Sequence, residues 1–399
     1  MKKIGFVVPW YGDNIPGGAE AALRGVSDHL FLDGEAVEIL TTCVEKFASD
    51  WNQNYYKPGD YKSKLGIPIK RFKVRKRDVK AFDEVNAKLI AGAKISREEE
   101  ETFNREMVNS DDLMDYMREH YDEYSNFVYI PYMFGTCYHG CKNFPEKSVM
   151  IPCFHDEAYA HFETYAEVFS KVKGMLFNAR PEMELANKLY DLSQVKCEVM
   201  GLGLDTDFES DAARFREKFK IEDDFILYAG RKEKGKNVDS LLAYFDKFKQ
   251  RVKMGQIEGV SKNLKLVLIG GGQIEIPKGV ADDVIDLGFV DIQDKYDAYG
   301  AAALLCQPSM NESFSFVIME SWLAGRPVLV HENCEVTADF VRQNNGGLYF
   351  ASYTDFEGTV AYLLKERQIS DAMGENGKKF VKSHFAWDII VDRYKKFLD

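Results

Sequence analysis

The sequence predicts an α/β protein of two domains built on parallel sheets, and three observations carry that prediction. Short β-branched runs alternate with longer amphipathic stretches along the chain, the pattern of buried strands joined by crossover helices. At 399 residues the chain exceeds one ordinary core, so two domains of roughly 200 residues are expected. The alternation halts at the glycine-punctuated turn Met200-Gly201-Leu202-Gly203-Leu204-Asp205 and restarts beyond it. That turn sets an N-terminal domain over 1–205 and a C-terminal domain over 206–385, with a tail over 386–399.

In the first half the expected strands are Ile4–Val8, Val37–Thr42, Ile67–Val74, Phe127–Ile130, Ser148–Cys153 and Gly174–Asn178. Helical stretches lie between them, among them Ala19–Leu32 and the charge-rich Glu98–His120. The second half adds strands at Phe225–Ala229, Leu264–Ile269, Val284–Leu287, Ala303–Gln307 and Val328–His331. In the tail, Trp387, Ile390, Val391, Tyr394, Phe397 and Leu398 fall at helical intervals. A terminal helix that apolar needs a partner surface.

Composition excludes several classes. Hydrophobic residues at 45% and aromatics at 13% suffice for two cores and argue against disorder. A formal net charge of −12 argues against a general nucleic-acid partner, because neutralising phosphates needs a basic face. Seven scattered cysteines suit reduced thiols and a cytoplasmic protein better than a disulfide framework. The first apolar run is too short for a signal peptide, and nothing reads as a membrane span.

Ligands of open parallel sheets bind beyond the carboxyl ends of strands, so the loops there carry the candidate chemistry. After Gln307 comes Pro308-Ser309-Met310-Asn311-Glu312-Ser313-Phe314-Ser315, then a helix that Gly325 and Pro327 bring to a stop. Glu312 and Glu320 are eight residues apart, about 80° off a common helix face, so both serve one ligand only if Glu312 lies in the loop. The amides of Ser313, Phe314 and Ser315 would then form an anion site at the helix start. A capped helix with two surface acids fits the same residues.

Arg231 and Lys236 flank a glycine-containing loop after Phe225–Ala229, a cationic clamp suited to a diphosphate. Gly270-Gly271-Gly272 permits close backbone approach, centred on Gly271, though a plain turn would serve as well. Gly17 and Gly18 open the first helix with bare amides, but they do not spell a dinucleotide-binding fingerprint.

Together these loops resemble the retaining glycosyltransferases of family four. The resemblance runs through Gly17-Gly18-Ala19-Glu20, His155-Asp156, Gly203-Leu204-Asp205-Thr206, Arg231 to Lys236, Glu312 to Glu320 with Ala324-Gly325-Arg326-Pro327-Val328, and Phe385-Ala386-Trp387-Asp388. It implies the glycosyltransferase-B fold, two Rossmann-like domains facing a cleft, with the donor held by the C-terminal half and the tail 386–399 returning to the first domain. It implies that Arg231 and Lys236 hold the donor diphosphate and that Glu320 accepts the ribose hydroxyls. Glu312, with the amides of Ser313–Ser315, would orient the sugar. Gly17 and Gly18 would approach the phosphates, and His155 would lie near the transferring sugar unless it is a packed histidine beside Phe154. The loop around Phe289 and Val290 would contact the base.

Two departures stand out. Leu202 replaces the usual asparagine, and Glu-Ser-Phe-Ser replaces Glu-Gly-Phe-Gly, which adds side chains at Ser313 and Ser315.

No cofactor is implied beyond the nucleotide-diphosphate sugar, with UDP or GDP as its nucleotide. No Asp-x-Asp or histidine-rich set appears, so no metal is expected; Cys137-Tyr138-His139-Gly140-Cys141 reads as a reduced-thiol turn. The acceptor would be a glycan or lipid-linked saccharide of cell-surface polysaccharide or glycoconjugate synthesis. Between Lys62 and Lys80, nine basic residues face one acid, Asp78. They suit an anionic acceptor, peripheral contact with an anionic membrane on its inner face, or a solvated sheet edge. A non-catalytic nucleotide-sugar-binding subunit and a sugar-nucleotide epimerase are the competing readings.

Overall fold

The computed structural model describes residues 2–15 and 17–399; Met1 and Pro16, the latter in the first glycine loop, lie outside the described residues. The chain divides into two compact units, one reaching Leu204 and including Trp387–Asp399, the other Asp205–Ala386.

The sheet of the first unit comprises β1 (Lys3–Val8), β2 (Val37–Thr42), β3 (Gly59–Lys62), β4 (Pro68–Phe72), β5 (Tyr124–Tyr129), β6 (Ser148–Met150), β7 (Gly174–Phe177) and β8 (Lys196–Val199). Their order is β3-β4-β2-β1-β5-β6-β7-β8, parallel except where β3 runs against β4. The central strands are Val-, Ile- and Leu-rich because helices cover both faces; every residue of β2 is buried. β3 was not foreseen because all four of its residues are exposed and nothing in them alternates.

The α-helices of this stretch are α1 (Gly18–Leu32), α2 (Val79–Ile90), α3 (Arg97–Glu106), α4 (Asp111–Glu119), α5 (Gly135–Asn143), α6 (Glu163–Phe169) and α7 (Arg180–Leu189). The stretch Glu98–His120 is two helices rather than one. Ser96 opens α3 with a capping box closed by Glu99, and the Ser110 hydroxyl accepts from the Leu113 amide to open α4. The linking residues are extended and buried, and their carbonyls accept from Thr136 (3.1 Å) and Arg75 (2.8 Å).

The second unit holds β9 (Phe225–Ala229), β10 (Lys265–Ile269), β11 (Val284–Gly288), β12 (Leu304–Gln307), β13 (Val328–His331) and β14 (Gly347–Phe350). They are parallel in the order β11-β10-β9-β12-β13-β14. The chain therefore builds outward from β9 through β10 and β11, then reverses to β12 on the other side. That reversal makes a topological switch point between β9 and β12.

Around this sheet lie α8 (Ala212–Phe219), α9 (Val238–Lys253), α10 (Ile292–Ala301), α11 (Phe316–Leu323), α12 (Glu335–Asn344), α13 (Tyr353–Lys365) and α14 (Arg367–His384). Close packing of α11 on α14 requires glycine: a Cβ on Gly377 would meet the Trp322 ring at 2.2 Å and one on Gly374 the Gly325 carbonyl at 2.1 Å.

The last helix, α15 (Trp387–Leu398), belongs to the first unit. Trp387 fills space that Gly203 and Gly25 leave bare, since a Cβ at either would approach its ring to 2.1 and 2.5 Å. Its indole also stacks on His29, centroids 3.9 Å apart. Ile390, Tyr394 and Phe397 are no more than 2% exposed, and burying the Ile390 and Phe397 side chains contributes about 1.5–3 kcal/mol each. The helix end is pinned by Asn126, whose Nδ2 donates to the Leu398 carbonyl at 2.8 Å.

Candidate active site

The loop after β9 is fixed by backbone and by one buried cation. Lys232, 5% exposed, donates to Asp286 at 2.7 Å and to the Gly270 carbonyl at 2.6 Å. Its own amide donates to Gly271 at 2.7 Å. The loop after β9 is thereby locked to the loop after β10 and to strand β11, and Lys232 serves structure rather than ligand. The glycines matter here: Gly270 has φ +123°, and a Cβ on it would reach the Gly230 carbonyl at 2.0 Å, whereas Gly271 faces open space.

Arg231 and Lys236 leave this loop in different company. Arg231 exposes 72% of its side chain and pairs with Glu233 at 3.1 Å, a surface contact that costs little to exchange. Lys236 donates to Glu312 at 2.7 Å. Beside them, the Asn237 side chain donates to the Pro308 carbonyl at 3.1 Å. Both contacts bridge the loops that flank the β9–β12 switch point, where parallel sheets of this kind place ligands.

In the loop after β12, Glu312 precedes α11, as a shared ligand with Glu320 requires. Gln307 approaches the Glu312 oxygen that Lys236 engages, at 3.4 Å. Among the described residues, the amides of Ser313, Phe314 and Ser315 meet no backbone carbonyl, so they remain available at the helix start. The Phe314 side chain is core, 2% exposed and 5.1 Å from Phe385, so only its backbone is available to a ligand. Ser315 has φ +80°, a left-handed conformation that costs a non-glycine residue about 1–2 kcal/mol. Its hydroxyl is buried without a hydrogen-bond partner. This is where the resembling family carries glycine, so the serine here holds a backbone conformation that favours the smaller residue.

Glu320 sits on α11 with both oxygens engaged. Lys295 donates to one at 2.6 Å and Tyr299 to the other at 2.8 Å. Burial, then the Glu320 charge, pushes the Tyr299 phenol well above its ordinary range, so it acts as a fixed donor. Neither partner was foreseen from the sequence. The available signal was their spacing: four residues apart on α10, they share a face. Immediately before α10, Phe289 is 87% exposed and Val290 is half-buried.

Gly17, Gly18 and His155 belong to the first unit. Gly17 caps α1 with φ +145°, and a Cβ there would collide with the Glu20 carboxylate at 2.0 Å. Trp10 holds that carboxylate at 2.9 Å. Both glycines are exposed. His155 is half-buried in the loop after β6. That loop hangs on Glu182, which accepts from the Phe154 and Asn178 amides, each at 2.6 Å.

The basic run 62–80 divides on folding. Arg71 is buried, donating to the Tyr11 carbonyl at 2.7 Å and lying over the Tyr56 ring at 3.9 Å. Arg77 is sandwiched against Trp51 and Phe82, 4.9 and 4.4 Å from their centroids. Lys62, Lys64, Lys73, Lys76 and Lys80 are exposed. Cys137 and Cys141 are buried in α5, where burial raises both thiols.

The family described as glycosyl transferases group 1 matches residues 209–380. Among curated relatives, an N-acetylgalactosamine-N,N'-diacetylbacillosaminyl-diphospho-undecaprenol 4-alpha-N-acetylgalactosaminyltransferase of Campylobacter jejuni is 30% identical over 58% of this chain and 61% of its own. The matched stretches span about half the length of the curated relatives, 45% and 61% in the first two. Of solved structures, sucrose-phosphate synthase from Thermosynechococcus elongatus superposes with a TM-score of 0.70 at 14% identity, covering 99% of this chain and 98% of that one. Anabaena HepE in complex with UDP and glucose gives 0.68 at 15%, covering 100% and 99%. At these identities the structural likeness speaks to fold: two Rossmann-like α/β domains of the glycosyltransferase-B type.

Proposed function

We propose that this chain, whose residues 209–380 match the group 1 glycosyl transferases, transfers a sugar from a UDP- or GDP-linked donor to a glycan or lipid-linked saccharide. In this reading the anomeric configuration is retained and no catalytic metal is used. The observation that carries it is the Lys236–Glu312 pair, 2.7 Å apart at the switch point, beside the free amides of Ser313, Phe314 and Ser315.

In the transfer, the bond from the anomeric carbon to the diphosphate oxygen breaks, and the acceptor hydroxyl oxygen bonds that carbon. The hydroxyl proton passes to the leaving phosphate. Negative charge grows on the phosphate as the bond opens, so cations and amide dipoles fixed there in advance stabilise the transition state. Lys236 is already placed, and the exposed Arg231 completes the clamp by swinging in. Glu312 orients the sugar, and Glu320 takes the ribose hydroxyls. Gly271 lets the donor approach the backbone, while Phe289 and Val290 offer an apolar surface to the base. On the first unit, Gly17, Gly18 and His155 are the candidate substrate contacts.

Two neighbours support the choice of substrates. HepE is a protein crystallised with UDP and glucose, and the Campylobacter relative is named for a diphospho-undecaprenol-linked saccharide. The exposed lysines of the run 62–80 suit such an anionic acceptor, or the inner face of an anionic membrane. No helix among the described residues is long and apolar enough to cross a membrane.

A thermal-shift panel of UDP, GDP and ADP sugars tests the reading, because selective binding raises Tm by mass action. A rise with one base class, followed by transfer in EDTA, is the expected result. No rise with any nucleotide sugar overturns the proposal. Binding without turnover on any acceptor turns it into a nucleotide-sugar-binding subunit.

A further inference from the structure

A carboxylate that reads a vicinal diol has to present one free lone pair on each oxygen in a fixed plane. Glu320 meets that requirement through two residues on another helix. Lys295 engages one oxygen at 2.6 Å and Tyr299 the other at 2.8 Å. An ionised carboxylate offers about four acceptor positions, so one donor on each oxygen leaves one position free on each. Two donors on a single oxygen would not.

The support around this pair is firm. The Tyr299 ring is fully buried, and the Glu320 side chain is 12% exposed. Lys295 is the one partner that reaches solvent, its side chain 26% exposed, and its ammonium lies 5.3 Å from the Tyr296 ring centroid. Tyr296 in turn stacks on Phe208, centroids 4.0 Å apart at 10°. The donors therefore hang from a helix whose own exposed face is braced.

We infer that Lys295 and Tyr299 are positioning residues for Glu320, and that the three together form a reader of the ribose 2′,3′-diol that separates ribonucleotides from 2′-deoxyribonucleotides. The inference rests on the nucleotide-sugar reading and adds to it which residues enforce the sugar of the nucleotide. Lys295 also cancels the Glu320 charge, which keeps a carboxylate tolerable close to a diphosphate. Neither residue touches the reacting atoms, so their loss acts on selectivity before turnover.

The experiment is calorimetric titration of the full chain with UDP, dUDP, GDP and dGDP. The wild-type protein should prefer the ribo form of its cognate base by about 10–100-fold, the worth of one charge-assisted hydrogen bond. Tyr299→Phe and Lys295→Met should each cut that preference to about threefold or less. Lys295→Arg should restore it, and kcat at saturating donor should change less than KM. If Tyr299→Phe fails to fold, Lys295→Met carries the test, since its side chain lies at the surface of the pair. Variants that keep the wild-type preference overturn the inference while leaving nucleotide binding intact. A wild-type chain that binds none of the four nucleotides overturns both the inference and the reading beneath it.

Discussion

Lys236 places its ammonium 2.7 Å from Glu312, a partner 76 positions away in sequence, and so joins the loop after β9 to the loop after β12. If the leaving phosphate draws Lys236 away during the reaction, both residues matter to turnover more than to folding.

Lys236→Ala, Arg231→Ala and Glu312→Gln should each lower kcat by roughly 10²–10³, read from initial rates at saturating donor. EDTA should leave the wild-type rate unchanged. A strict requirement for added Mg²⁺ or Mn²⁺ would show that these cations do not stand in for a metal.

Gly203→Ala should lower Tm, because its methyl group would enter the Trp387 ring, where a Cβ lies 2.1 Å from the nearest ring carbon. Overpacking of this kind costs about 1–3 kcal/mol. Adding Trp387→Leu to the glycine variant should recover part of the loss. Additive losses in the double variant would mean the two residues are not in contact.

Charge reversal in the basic run should have two outcomes. Lys62→Glu, Lys64→Glu and Lys73→Glu together should spare Tm and donor binding but weaken transfer to an anionic lipid-linked acceptor. The defect should shrink above about 0.15 M salt, where exposed charges are screened beyond roughly 8 Å. Arg77→Glu should instead lower Tm, because its guanidinium is packed between Trp51 and Phe82. Equal effects from both sets would contradict this division.

Burial pushes the Glu182 carboxyl up to about 8, against the pull of the backbone amides it accepts from. A folded-state value above the unfolded one near 4.5 favours the protonated group in the fold. Its stabilisation is therefore full below about pH 4.5 and fades as pH rises through 8. Glu182→Gln, which cannot ionise, should flatten the decline of Tm between pH 5 and 8. An unchanged slope would mean the carboxyl is charged in the native protein.

Most strands were legible because parallel sheets demand apolar runs, and those runs were visible at Val37–Thr42 and Phe225–Ala229. β8 and β14 escaped notice because Lys196, Glu198 and Tyr349 break the pattern; edge strands need only one protected face. The long charged helix failed for a different reason. Ser96 and Ser110 each cap a helix, and the run of charges across Glu98–His120 masks the break between them. At the candidate site, Glu312, Glu320 and Lys236 lay in motifs, whereas Lys295, Tyr299 and Lys232 act through partners 25, 21 and 54 positions away. No local pattern encodes such pairings. Phe314 offers its amide to the motif, and its burial shows a side chain devoted to packing.

The position of α15 has a consequence for how the molecule is made. The Asn126 side chain that pins its end waits for Leu398, 272 positions later, whereas the second unit is continuous from Asp205 to Ala386. During synthesis, residues up to Leu204 emerge first but lack the helix that covers Gly174 and Gly203. The second unit is thus the first able to complete itself, and the earlier-made half stays unfinished until the final turn of helix leaves the ribosome. A stall or cut just before Trp387 would yield one finished unit and one with an uncovered apolar surface, the kind of half-product that chaperones hold and proteases clear.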